Sequence, residues 1–210
     1  MDKQFAIFDM DGTLIDSMVF WKNLATEYLT CKGVREIPAE ILEQIKPMTM
    51  SESAALFQTA FGLTGDIENE MNAMMDDHYR KDIPLKSGVR EYLQKLRDRG
   101  IRMCVASATA EYLMDACLTR LGVRDYFEFL LSCETVGAGK RSPIVYHESA
   151  RRLNASPADI AVYEDALYAV QTAKNAGYYV AGVRDDSNTE CWESIKNLAD
   201  EIIINWEEAL

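Results

Sequence analysis

Four acidic residues, a serine and a lysine in this 210-residue sequence are spaced so that they can share one reaction. Asp9 and Asp11 stand two positions apart, and Gly12 and Thr13 follow at once. Outside a regular strand, both carboxylates of such a pair can face the same substrate. One can attack phosphorus, while the other protonates the departing oxygen and later takes a proton from water. Ser107, in Ser107-Ala108-Thr109, can offer its hydroxyl and nearby backbone N–H groups to phosphoryl oxygens. Lys140, in the loop Gly137-Ala138-Gly139-Lys140, can supply positive charge as the transition state develops. Glu164 and Asp165 complete a set suited to phosphoryl transfer, which needs chiefly positioning and charge neutralisation.

Four carboxylates in one cleft raise one another's pKa unless a cation is present. A hard divalent cation with oxygen ligands answers this, and Mg²⁺ is the expected cofactor. The residues for a zinc site are missing, since the two histidines, His78 and His147, are isolated and are expected at the surface. The five cysteines are odd in number and form no C-x-x-C pair, which fits reduced thiols. A net charge of −12 argues against nucleic acid or an anionic membrane as partner. It leaves room for a small phosphorylated substrate, because a metal and a few local cations can reverse the field inside one cleft. No apolar run approaches the roughly 20 residues of a membrane span, and the N-terminus lacks the pattern of a secretory signal. The expectation is a soluble, cytoplasmic protein.

These groups need a frame that delivers them to one place. Short, nearly continuous apolar runs at 5–9, 101–107, 127–132, 160–165, 178–183 and 201–205 read as strands buried on both faces. Amphipathic segments alternate with them. Val89, Tyr92, Leu93 and Leu96 fall at helical spacing before Gly100, and further helices are expected at 111–120, 143–153, 166–176 and 189–198. Pro143 suits a first helical position. Alternation of this kind means an α/β fold with a parallel, Rossmann-like sheet and helices on both faces. Between 16 and 81 the pattern is helical throughout, with segments at 18–30, 39–45, 52–61 and 67–80. That stretch is too long for one strand-to-helix connection and reads as an inserted small all-α cap. The expected domains are therefore a core of 1–15 and 82–210 and a cap of 16–81. Trp21, Phe57, Phe61, Met71, Met74 and Met75 sit at helical spacings expected to pack the cap.

In an open parallel sheet, ligands bind beyond the carboxyl ends of the strands. Each motif follows an expected strand, so the groups converge on one rim. Taken singly, each has a structural reading. D-x-D-G can be a turn, Ser107 a helix cap, Lys140 a solvated charge, and Glu164-Asp165 the start of a helix. A calcium loop is disfavoured because Leu14 and Ile15 stand where oxygen ligands would be needed. The conjunction at successive strand ends carries the argument.

The same residues closely resemble the haloacid dehalogenase-like hydrolase superfamily, in its branch with a small helical cap after the first strand. Asp9-Met10-Asp11-Gly12-Thr13 resembles its first motif, Ser107 the second, Lys140 the third, and Glu164-Asp165 the fourth. The resemblance implies a Rossmann-like fold, a nucleophile at Asp9 and an acid/base at Asp11. It also implies Mg²⁺ bound through Asp9, the Asp11 backbone carbonyl and the acids Glu164 and Asp165. Thr13 and Ala108 are further expected substrate contacts, and the cap residues Trp21, Lys46 and Thr49 are expected to select the leaving group. The Glu-Asp form of the last motif resembles the β-phosphoglucomutase and sugar-phosphatase branch.

Some positions depart from that pattern. Arg141 and Ser142 intervene between Lys140 and Pro143, and Ala166 and Ala169 replace a common serine and glycine. The mutases' cap histidine aligns with Trp21, and 46–52 contains no arginine. The expected function is thus Mg²⁺-dependent hydrolysis of a small phosphate monoester, a sugar or polyol phosphate, through an aspartyl-phosphate. A phosphosugar mutase and a non-catalytic binding protein are the alternatives.

Overall fold

The protein is described by a computed structural model covering residues 3–45, 48 and 50–209. The chain divides into two compact units, one of Met1–Met18 with Ile83–Leu210, the other of Val19–Asp82. The larger unit is a six-stranded sheet in which every neighbouring pair is parallel. Its strands are β1 (Phe5–Phe8), β2 (Arg102–Ser107), β3 (Leu130–Ser132), β4 (Ile160–Glu164), β5 (Tyr179–Val183) and β6 (Glu201–Ile203), in the order β3-β2-β1-β4-β5-β6. The order reverses at β1, so the crevice between the ends of β1 and β4 is where such a sheet takes a ligand.

The helices are α1 (Met18–Cys31), α2 (Ala39–Ile45), α3 (Met50–Phe61), α4 (Ile67–Lys81), α5 (Val89–Asp98), α6 (Glu111–Arg120), α7 (Cys133–Val136), α8 (Ile144–Leu153), α9 (Leu167–Asn175) and α10 (Trp192–Leu198). Both faces of the sheet are covered. Ile7, Cys104, Leu131, Val162 and Val180 pack with Val145 and Leu153 of α8, Val170 of α9 and Ile195 of α10. On the other face Phe8 stacks on Tyr163, ring centroids 4.3 Å apart. Tyr92 of α5 and Trp206 close around that pair, with the Tyr92 and Tyr163 hydroxyls 2.9 Å apart.

Three boundaries differ from the sequence pattern for local reasons. The expected strand at 127–132 starts only at Leu130, because Arg124–Tyr126 turn as a 3₁₀ helix and the Phe127 N–H donates back to the Arg124 carbonyl. The expected helix at 189–198 starts at Trp192, because a capping box between Asp185 and Asn188 winds Asp186–Cys191 as a 3₁₀ helix. Pro143 stands one place before the first helical residue of α8, as its cap.

In the smaller unit, Phe57, Met71 and Met75 are buried as their spacing predicts. Phe61 and Met74 are half-buried. Trp21 departs from the expected packing: it is 38% exposed, and its indole N–H donates to the Tyr79 hydroxyl at 3.2 Å. His78 also departs from its expected surface role. Its ring nitrogens each lie 2.9 Å from a carboxylate, Glu27 on one side and Asp82 on the other. Burial favours the neutral ring, but the two acids outweigh it and raise the His78 pKa. His147 is bonded to the Tyr178 hydroxyl at 3.0 Å. Lys46 and Thr49 lie outside the described residues. Among the described residues no helix is long and apolar enough to cross a membrane.

Trp206 is only 2% exposed, and its indole N–H donates to the Thr13 carbonyl at 3.1 Å, bracing the loop after β1 from below. Trp206→Ala is expected to destabilise by about 3–5 kcal/mol through the cavity it leaves. Trp206→Phe fills most of that volume but leaves a buried carbonyl without its donor, at a cost of about 1–3 kcal/mol. Urea unfolding of the two variants checks both values.

Candidate active site

The loop after β1 is a tight knot around one carbonyl. The Met10 oxygen accepts from the N–H groups of Thr13, Leu14 and Ile15, and the Gly12 N–H donates to the Ile15 carbonyl. Gly12 sits at φ +77°, a region that favours glycine. A Cβ there would also stand 2.5 Å from Asp165 Oδ2, so the position is closed to side chains twice over. This turn carries the chain out of the strand between Asp9 and Asp11, and both line one cleft together with Ser107, Lys140, Glu164 and Asp165.

Lys140 is buried in the middle of the acids. Its ammonium donates to Asp9 Oδ1 and to Glu164 Oε1, the latter at 2.5 Å. The Tyr146 hydroxyl donates to the same Glu164 oxygen at 2.9 Å. Burial alone would favour a neutral amine, but Asp9 and Glu164 outweigh it and raise the Lys140 pKa, so it stays an ammonium. One cation does not balance Asp9, Asp11, Glu164 and Asp165. Burial pushes the Asp9 pKa well up against the pull of Lys140, and the charges of Glu164, Asp165 and Asp11 push it further. Asp165 is pushed up to about 7, by burial first and then by Glu164.

Asp9, Glu164 and Asp165 each offer an oxygen to one point, the three atoms lying within 4.8 Å of one another. Glu164 Oε2 is buried and meets no hydrogen-bond donor among the described residues. An all-oxygen donor set with a negative excess and an unsatisfied oxygen fits a hard divalent cation. The Asp11 carboxylate is not in this group. It turns to the end of β2, where its Oδ2 accepts from Thr109 Oγ1 at 2.6 Å and lies 3.5 Å from Ser107 Oγ. Ser107 Oγ in turn accepts from the Thr109 N–H.

The expected site residues thus separate into three sets. Asp9, Asp11, Ser107, Ala108, Lys140, Glu164 and Asp165 are brought together. Thr13 is wholly buried and its hydroxyl donates to Asp165 Oδ1 at 3.1 Å, so it acts on the site through that carboxylate. Trp21 belongs to the helical unit. Four residues outside the expected set hold the others. Thr109 and Tyr146 bond Asp11 and Glu164 directly. Asn188 donates from its amide to the main-chain carbonyls of Asp165 and Val183, at 3.0 and 2.9 Å. Lys86 lies 2.6 Å from both Asp16 and Asp185, and Asp185 caps the turn that presents Asn188. Thr109 had a visible signal, a second hydroxyl two residues after Ser107, and Asn188 had one in the Asp185-x-x-Asn188 spacing. Tyr146 had none, because its helical spacing is that of a core residue.

Gly12→Ala is expected to cost about 1–3 kcal/mol in stability and to displace Asp165, seen as a lowered urea midpoint and a moved side chain in a crystal structure. Lys86→Met leaves the buried Asp185 carboxylate without its cation and is expected to cost about 3 kcal/mol. Adding Asp185→Asn to Lys86→Met should recover part of that loss in the same unfolding measurement.

The family model for haloacid dehalogenase-like hydrolases matches residues 6–183. The chain is 26% identical over 174 residues to a phosphorylated carbohydrates phosphatase of Thermotoga maritima, covering 81% of this chain and 80% of the relative. It is 27% identical over 175 residues to hexitol phosphatase B of Escherichia coli strain K12 (81% and 79% covered), and 25% identical over 193 residues to a β-phosphoglucomutase of Bacillus subtilis (84% and 81% covered). Among solved structures, CbbY of Rhodobacter sphaeroides in complex with phosphate superposes with a TM-score of 0.74 at 23% identity, covering 98% of this chain and 96% of that one. A haloacid dehalogenase-family hydrolase of Deinococcus radiodurans with bound phosphate and sodium gives 0.77 at 18% identity, covering 99% and 93%. With the fold, the motif order and a match across most of its length in agreement, the chain belongs to the haloacid dehalogenase-like hydrolase family.

Proposed function

We propose that this protein is a Mg²⁺-dependent phosphomonoester hydrolase that acts on a small phosphorylated metabolite through an aspartyl-phosphate on Asp9. The observation that carries this reading is the convergence of Asp9, Asp11, Lys140, Glu164 and Asp165 on one cleft at the point where the strand order reverses. The names of similar proteins, a phosphorylated carbohydrates phosphatase and a hexitol phosphatase, favour a sugar or polyol phosphate as substrate.

The side chains divide the work. Asp9, held by Lys140, attacks phosphorus as the carboxylate. Asp11, oriented by Thr109, gives its proton to the leaving oxygen as the ester bond breaks. The resulting carboxylate of Asp11 then takes a proton from water, which attacks the acyl phosphate and frees inorganic phosphate and Asp9. Ser107 offers its hydroxyl to the phosphoryl oxygens, and Lys140 keeps positive charge beside the reacting carboxylate. Asp9, Asp165 and Glu164 are the residues that would hold the metal, which when bound supplies further positive charge for the phosphoryl oxygens and for the crowded acids.

Phosphate release from a panel of sugar and polyol phosphates, with Mg²⁺ or with EDTA, tests the reading. Release is expected with Mg²⁺, and loss to background with EDTA or in Asp9→Asn. Asp11→Asn should slow turnover by about 10²–10⁴-fold. Its defect should be smaller for release of p-nitrophenol from p-nitrophenyl phosphate in a single turnover, since that leaving group needs little protonation. Isomerised phosphosugar in place of free phosphate would favour the mutase reading, and metal-independent release would exclude the mechanism.

A further inference from the structure

Arg141 follows Lys140 directly, and the two cations part company. Lys140 turns inward to Asp9 and Glu164, while Arg141 is exposed and lays its guanidinium over the ring of Tyr168, Cζ 4.8 Å from the centroid. An arginine stacked on a tyrosine is ordinary by itself. Here the tyrosine is part of the wall of the acidic cleft, 42% exposed, in the first turn of α9 just after Glu164 and Asp165. Neither partner's polar end is taken up by another described residue. Among the described residues, the Arg141 N–H groups meet no carboxylate or carbonyl, and the Tyr168 hydroxyl has no hydrogen-bond partner.

A guanidinium held over a ring by cation–π attraction keeps its N–H fork available to a carboxylate or a phosphate. The phenol hydroxyl adds a donor beside it. On the phosphatase reading the phosphoryl group lies in the cleft lined by Lys140, and a second anion on the same ligand would meet the wall that Tyr168 forms. We propose that Arg141 and Tyr168 form a second anion subsite, and that the preferred substrates are phosphate monoesters carrying another anionic group, a carboxylate or a second phosphate. This rests on the phosphatase reading and narrows it.

The test compares kcat/KM, with Mg²⁺, for esters with one anion (glycerol 3-phosphate, sorbitol 6-phosphate), with an added carboxylate (phosphoglycolate, 3-phosphoglycerate) and with a second phosphate (fructose 1,6-bisphosphate). Wild type is expected to favour at least one doubly anionic class by about 10- to 100-fold, the size of one charged hydrogen-bonded contact. Which class leads tells carboxylate from phosphate. Arg141→Ala should bring that ratio close to one, chiefly through KM, and Arg141→Lys should fall between, because it keeps the charge and loses the fork. A wild type without preference, or a variant that loses all esters alike, overturns the subsite. Calorimetric binding to Asp9→Asn keeps the two readings separate, since it needs no turnover. If Arg141→Ala in that background weakens phosphoglycolate and fructose 1,6-bisphosphate no more than glycerol 3-phosphate, the subsite is refuted. Selective weakening by tenfold or more supports it even where no ester is hydrolysed, an outcome that would count only against the phosphatase reading.

Discussion

A single ammonium group between two buried carboxylates organises the centre of this protein. Lys140 comes from a loop after α7, Asp9 from the end of β1 and Glu164 from the end of β4, so one charge joins three separate parts of the chain. Neither acid could be buried alone without taking up a proton or opening to water. The arrangement also stops short of neutrality. Asp165, with its pKa near 7, and the unsatisfied Glu164 oxygen record a shortage of positive charge, a setting that suits a cation.

Supports for this centre form a second ring. Thr13 and Asn188 fix Asp165 by side chain and by main chain, Thr109 fixes Asp11, and Tyr146 fixes Glu164. Lys86 reaches the same ring through Asp185. It stands on the segment that returns from the helical insert, and Asp16 stands on the segment that leaves for it; Ile15 and Leu85 pair between them. The two connecting segments are thereby fastened to the turn that holds Asp165.

The acids, Ser107 and Lys140 were legible in the sequence because each follows an apolar strand, and strand ends of a parallel sheet meet at one rim. The strands themselves were legible because burial on both faces leaves a nearly unbroken apolar run. What stayed hidden depends on long-range packing. Nothing in the spacing of Tyr146 tells a core tyrosine from one whose hydroxyl meets Glu164. Trp21 shares its helical face with buried residues and yet is 38% exposed, with its indole N–H bonded to the hydroxyl of the buried Tyr79, a contact that helical spacing does not reveal. Thr13 carries a donor that reads as a substrate contact until its burial is known. Where strands and helices began late, at Leu130 and Trp192, local hydrogen bonds of short 3₁₀ turns prevailed over hydrophobic periodicity.

The hydrogen bond from Trp206 to the Thr13 carbonyl spans 193 positions, nearly the whole chain. The loop that carries Asp9 and Asp11 is therefore made long before the residue that gives it its floor. The intervening insert, Val19–Asp82, is continuous in sequence and has no such wait. Synthesis thus sets an order in which the helices can settle early, while the acidic loop remains unsupported until Trp206 has been made. A chain cut just before Trp206, far in sequence from the acids of the cleft, would leave the loop of Asp9 and Asp11 as the part of the molecule without a foundation.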